Sequence, residues 1–176
     1  GSVFRWGSHE NTVLASLLRR YPHVDAGVLQ PLLHDGEHAM VDLLKVATEG
    51  YFISGSHGSS SIKRLLLPTL QASSYLENFY GNLSYTSSNF KDMQWFQKDD
   101  RGKVSDPYNI LLEQEPLSSV ADGGGAMEAY NVLQCHEISV EEQSVMKDSL
   151  LRYCELDTLA MTMIVQAWQG FLSEET

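Results

Sequence analysis

The sequence predicts a helix-rich α/β fold, and three observations predict it. In LLRYCELDTLAMTMIVQAW, residues 150–168, apolar side chains recur three and four apart at Leu150, Cys154, Met161, Ile164, Val165 and Trp168, the stripe a helix turns toward a core. Residues 3–6 are a short apolar and aromatic run suited to the end of a strand, and Ser8 follows where a helix N-cap belongs. The run AMVDLLKV fits a buried strand ending near Asp42 or the start of a helix, alternatives that periodicity alone does not separate.

A chain of 176 residues, 43% hydrophobic, is long enough for one domain with a proper core and short for two, so residues 1–176 are expected to form a single domain. The net charge of −11 argues against a broad basic footprint that grips duplex phosphates. Two cysteines without paired spacing, Cys135 and Cys154, suggest neither a disulfide framework nor a structural zinc site, which makes a cytoplasmic location the expectation. No apolar run approaches membrane-spanning length and no signal-peptide core opens the chain, so no membrane partner is expected.

The elements follow in order. After Ser8, the polar first turn of His9, Glu10 and Asn11 leads to Val13, Leu14, Leu17, Leu18 and Tyr21, a helix of about three turns ending near Pro22. A polar passage over residues 31–36 precedes AMVDLLKV. SGSHGSSS, residues 54–61, is a loop whose last serines are suited to cap IKRLLLPTL, and Pro68 limits or kinks that helix. Residues 84–109 are rich in Ser, Asn, Asp, Lys and Gly without a clear period, and read as a long surface excursion. Asp122 and three glycines precede the helix AMEAYNVL. Ser139 and Glu142 then form a capping box that opens the final helix, which runs to about Gly170.

Asp157 falls in the middle of the apolar stripe of that last helix. An unpaired buried carboxylate costs several kcal/mol, so Asp157 needs strong donors, a cation, a proton, or a place at a cavity rim. Tyr153 lies one turn earlier, about 6 Å along the axis, giving Y-x-x-x-D. Glu10 heads an apolar stripe of its own, with Leu14, Leu17, Leu18 and Tyr21 four, seven, eight and eleven positions later. Carboxylates converging on one crevice are the ligands that Mg2+ or Mn2+ prefers. The structural alternative stands beside this: Glu in a first helical turn is favoured by the helix dipole, and a buried Asp serves as acceptor for a Tyr, Trp or backbone donor.

YCELDTLAM at 153–161, GSSSIKRLLLP at 58–68 and DPYNIL at 106–111 together resemble a bacterial domain of unknown function often found C-terminal to a RecB-like nuclease domain. That domain is similar to the DEDDy-type ribonuclease H-like 3'-5' exonucleases. The resemblance covers most of the chain and implies a partial ribonuclease H-like, DnaQ-like exonuclease fold with a small residual sheet. It implies a metal-dependent hydrolase of nucleic acid phosphodiesters working from a DNA or RNA 3' end, with a two-metal Mg2+ or Mn2+ site in the complete domain. Tyr153 and Asp157 match the family's third motif, in which the Asp binds metal and the Tyr orients the attacking water. Glu10 takes the place of the second motif, where these enzymes usually carry Asp. Asp42 resembles a further acidic position with a supporting role. The first motif, D-x-E on an early strand, has no counterpart: Asp35 and Glu37 spell it in a polar loop after Glu10 and are a decoy. Fewer than ten residues precede Glu10, so the strands bearing that motif are expected upstream, and this piece is expected to be incomplete or inactive alone. A RecB-like nuclease domain in the same chain is the partner the resemblance implies.

Two other readings remain open. A non-catalytic interaction module would keep the fold without a complete metal site. HDGEH, residues 34–38, matches the H-x-x-E-H pattern of zinc metallopeptidases, a chemistry that requires a stable helix, against which Gly36 and Pro31 argue. Lys63 and Arg64 suit a phosphate at a helix N-terminus or an ordinary surface. Tyr85, Trp95, Phe96 and Tyr108 suit stacking on bases or pinning a loop to the core. Cys154 reads as a core residue.

Overall fold

Two short strands pair in parallel, β1 (Phe4–Arg5) beside β2 (Val41–Asp42), with Phe4 opposite Val41 and Arg5 opposite Asp42. The computed structural model describes residues 1–23, 26–82, 84–114 and 123–174. The chain folds as two compact units, 1–64 and 65–176, where composition suggested one domain. Among the described residues there are eight α-helices, and none is long and apolar enough to cross a membrane.

In the first unit, β1 leads through Gly7 into α1 (His9–Arg20). Gly7 takes a φ of 92°, a left-handed turn that a side chain would strain. Ser8 occupies the N-cap position, but its side chain makes no capping bond. Its carbonyl accepts instead from Thr12 N at 3.1 Å and Thr12 Oγ1 at 3.0 Å. The expected core face of α1 is only partly covered: Leu17 and Tyr21 are exposed, and the buried residue is Asn11. A short helix α2 (Ala26–Leu29) and a 3-10 turn (Gln30–Leu32) lead to β2, which passes directly into α3 (Leu43–Gly50). AMVDLLKV is therefore strand and helix in succession, with Asp42 the hinge: its Oδ1 caps α3 by accepting from Leu44 N at 3.1 Å and Lys45 N at 3.3 Å.

The second unit holds most of the core. Helix α4 (Ile62–Ala72) continues past Pro68, which lacks the N–H that would bond the Arg64 carbonyl. One residue on, the Thr69 hydroxyl donates to the Leu65 carbonyl at 2.6 Å. Helix α5 (Ser74–Tyr80) is capped by Ser73, whose Oγ accepts from Leu76 N at 3.2 Å. Helices α6 (Pro107–Gln114) and α7 (Gly123–Cys135) precede α8 (Val140–Glu174). The glycines expected before α7 form its first turn, while Asp122 lies outside the described residues. The capping box is present: Glu142 N donates to Ser139 Oγ at 3.1 Å and Ser139 N to Glu142 Oε2 at 2.9 Å. From there α8 runs 35 residues, beyond the expected end at Gly170.

The segment 84–109 is irregular but not a surface excursion, a correction to the expectation from its polar composition. Phe90, Met93, Trp95, Phe96, Val104 and Tyr108 are buried, and Trp95 is fully enclosed. Single antiparallel bridges, Tyr85 with Met93 and Lys98 with Val104, let the chain turn its aromatics inward. The Phe90 and Trp95 rings meet edge to face at 5.0 Å, a favoured geometry. Polar composition misled because the apolar residues are few but large.

Candidate functional site

The Asp157 carboxylate meets a tyrosine from another helix. Tyr108 donates its hydroxyl hydrogen bond to Asp157 Oδ1 at 2.7 Å. Local sequence sets this up: Asp106 accepts from Tyr108 N at 3.0 Å and its carbonyl accepts from Ile110 N at 3.0 Å, so it stands as N-cap of α6 with Pro107 in the first position. Burial drives the Tyr108 phenol well above its ordinary pKa, and the Asp157 charge pushes the same way. Tyr153 lies near enough to add a smaller upward push. The structure thus brings Tyr153, Asp157 and Tyr108 together. Sequence reasoning placed Tyr108 among aromatics that pin a loop and missed its bond to Asp157; the Asp-Pro helix start at 106–107 was the available signal.

Asp157 sits on the margin of the buried face, not in its middle. The residues of α8 that are buried are Ser149, Tyr153, Leu156, Leu159, Ala160, Met163, Ile164 and Ala167. That face is turned by about one residue, roughly 100°, from the expected stripe. Cys154, expected in the core, is exposed, and Asp157 is half-buried. The physical reason is that between residues 150 and 168 the apolar side chains of α8 spread over a wide arc, with Arg152, Glu155, Thr158, Thr162 and Gln166 opposite, so the elements packed against it select which part of that arc is buried, and the small side chains of Ser149, Ala160 and Ala167 permit close approach there.

A second polar network lies two residues away. Glu155 accepts from the Tyr85 hydroxyl at 2.7 Å and from Asn89 Nδ2 at 2.6 Å, while Arg152 Nε donates to the Asn89 carbonyl at 3.1 Å. Burial opposes the ionised form of Glu155, but bonds from Ser87, Tyr85 and Asn89 together outweigh it and lower its pKa. This network ties the irregular segment to α8, so Tyr85 pins the segment.

In the first unit, Glu10 Oε1 accepts from Trp6 N at 3.4 Å, whereas Oε2 is buried without a hydrogen-bond partner among the described residues. A buried carboxylate oxygen without a donor leaves its desolvation uncompensated, which a cation beside it would offset. Asp42 is differently employed. Its Oδ2 pairs with Arg5 at 2.9 Å, and its Oδ1 also accepts from Gly7 N at 3.1 Å, so it joins β1, β2 and α3. HDGEH is a turn, not a helix, which corrects the zinc-peptidase alternative: His38 N bonds the Pro31 carbonyl at 2.9 Å and His34 and His38 are exposed. Asp35 and Glu37 are exposed in the same loop. A Cβ on Gly36 would fall 2.1 Å from the Pro31 oxygen, so close backbone approach dictates glycine there.

Among the described residues, no group of three or more His, Cys, Asp or Glu is placed to hold a metal ion. A single oriented carboxylate fits a Mg2+ or Mn2+ ion that keeps most of its waters, whereas a two-ion clamp needs more acidic oxygens than these residues gather. No family model matches the chain, and neither a curated protein nor a solved structure matches it.

Proposed function

We propose that this chain belongs to a ribonuclease H-like domain that hydrolyses nucleic acid phosphodiesters from a 3' end in the manner of the DEDDy exonucleases, using Mg2+ or Mn2+. The observation that carries the reading is the Tyr108 bond to Asp157, which orients a half-buried carboxylate on α8. A bound divalent ion would supply charge stabilisation at a phosphodiester oxygen. In this reading Asp157 is the metal ligand of its unit, and Tyr153, one turn before it, positions the attacking water. Tyr108 is a positioning residue that holds the Asp157 carboxylate by one oxygen.

The test is thermal melting of the chain during a Mn2+ titration. Binding to the folded state alone raises stability by about 2.7 kcal/mol at one hundred times Kd. The rise in Tm is expected to vanish in Asp157→Asn. A melting temperature indifferent to Mn2+, or a rise that survives Asp157→Asn, removes the metal assignment. The second reading, an interaction module without catalysis, draws on the sparse acidic set and on the exposed apolar side chains of α7. It predicts no Mn2+ response and no cleavage of a 3'-labelled oligonucleotide.

A further inference from the structure

Helix α7 and the first third of α8 form a hairpin that buries little of itself. Of the 13 residues of α7 only Ala129 is buried, and no residue from 140 to 148 is. Met127 is 59% exposed, Tyr130 53% and Val140 77%. By helical spacing Met127, Tyr130 and Gln134 share one side of α7, and Val140, Ser144, Lys147 and Leu151 one side of α8. Between them runs a groove of about 550 Å³, with Leu133, Leu150 and Leu151 in its lining. Two helices alone leave such a stripe in water, and a third helix laid into the groove would cover it.

Charge selects the occupant. Glu128, Glu137, Glu141, Glu142 and Asp148 are all exposed on this hairpin, and Lys147 is the single Lys or Arg between 128 and 148. That is a denser negative charge than the chain's −11 over 176 residues. A second copy of the hairpin would set these carboxylates against themselves, and an anionic lipid surface would be repelled as well.

We propose that the α7–α8 groove docks an amphipathic helix of a partner protein, with Leu-like side chains on its inner face and Lys or Arg along its flanks. The apolar face supplies affinity, and the basic flanks supply orientation and encounter rate. The proposal is independent of the divalent-ion reading, because its test needs no metal.

The test is calorimetric titration of the full chain with a synthetic Leu/Lys peptide of about 18 residues with apolar positions at helical spacing. A peptide of the same composition in scrambled order is the comparison. One-to-one binding is expected, with the scrambled peptide at least about tenfold weaker, and Leu151→Glu and Val140→Glu each reducing affinity about tenfold although they add negative charge. Val140 is mostly exposed, so its replacement leaves folding intact, which circular dichroism verifies. Attraction by net charge alone predicts the opposite, tighter binding by both glutamate variants. Equal binding of the scrambled peptide, or unweakened binding by the folded Val140→Glu chain, overturns the proposal. So does a dimer in sedimentation equilibrium that Val140→Glu dissociates, which would make the occupant a second copy.

Discussion

Tyr108 and Asp157 are 49 residues apart in sequence, and a 2.7 Å hydrogen bond joins the hydroxyl of one to the carboxylate of the other. The phenol is buried and its pKa is raised above the ordinary 10.0, so it remains a donor through neutral and mildly alkaline pH. Tyr108→Phe keeps the ring and removes only this donor. Loss of one hydrogen bond to a charged group is expected to cost about 1.5–3 kcal/mol. Urea denaturation followed by circular dichroism measures it, and an unchanged midpoint would show that the bond contributes nothing.

The Glu155 network predicts the acid limb of stability. Its pKa is lowered in the folded chain, so its contribution is complete above the unfolded value of about 4.5 and is lost as pH falls through the folded value. Glu155→Gln should melt lower than the parent at pH 7 and converge with it in acid. Parallel Tm curves for the two proteins from pH 7 to pH 3 would contradict the linkage.

The alkaline limb follows from two other tyrosines. Burial is the largest cause raising Tyr80 and Tyr85, each from 10.0 to about 12. Tyr75 adds to the rise at Tyr80, and Glu155 at Tyr85. Their neutral forms are favoured by folding, so this stability is fully present below pH 10 and disappears as pH rises toward 12. The Tyr80→Phe/Tyr85→Phe double variant should lose Tm less steeply between those limits, read by scanning calorimetry.

Arg5 and Asp42 form the ion pair that holds the two-stranded sheet. Arg5 is 4% exposed and Asp42 24%, so removing the carboxylate strands a buried guanidinium. Asp42→Ala also uncaps α3. A destabilisation of about 3 kcal/mol is expected, the low end for a broken buried pair because water reaches Asp42. Hydrogen exchange at the amides of residues 41–50 reports it locally, and unaltered protection there would argue that the pair is dispensable.

Gly36→Ala tests the turn that replaces the zinc motif. The added methyl meets the Pro31 carbonyl oxygen at 2.1 Å, and backbone must move to relieve it. About 1–3 kcal/mol of destabilisation is expected from such overpacking. A stability gain, as for a glycine replaced within a helix, would mean that HDGEH is helical after all.

Much of the secondary structure was legible because its causes are local. Ser139 and Glu142 announce the start of α8 by their spacing, and the two bonds of the box are made by those residues alone. Asp42 both closes a strand and caps a helix, a dual role readable as an ambiguity in AMVDLLKV. Y-x-x-x-D put Tyr153 and Asp157 on one turn of one helix, where they are.

What the sequence by itself determined, then, was where helices begin and which carboxylates stand out, since capping and helical spacing act within a few residues. Tertiary structure decided which side of α8 is buried, that residues 84–109 enter the core, and that Tyr108 meets Asp157. Those outcomes depend on partners distant in sequence. On a helix whose apolar arc is wider than the face it buries, or in a segment with no period, only the side chains packed against it select one arrangement among several of similar hydrophobicity.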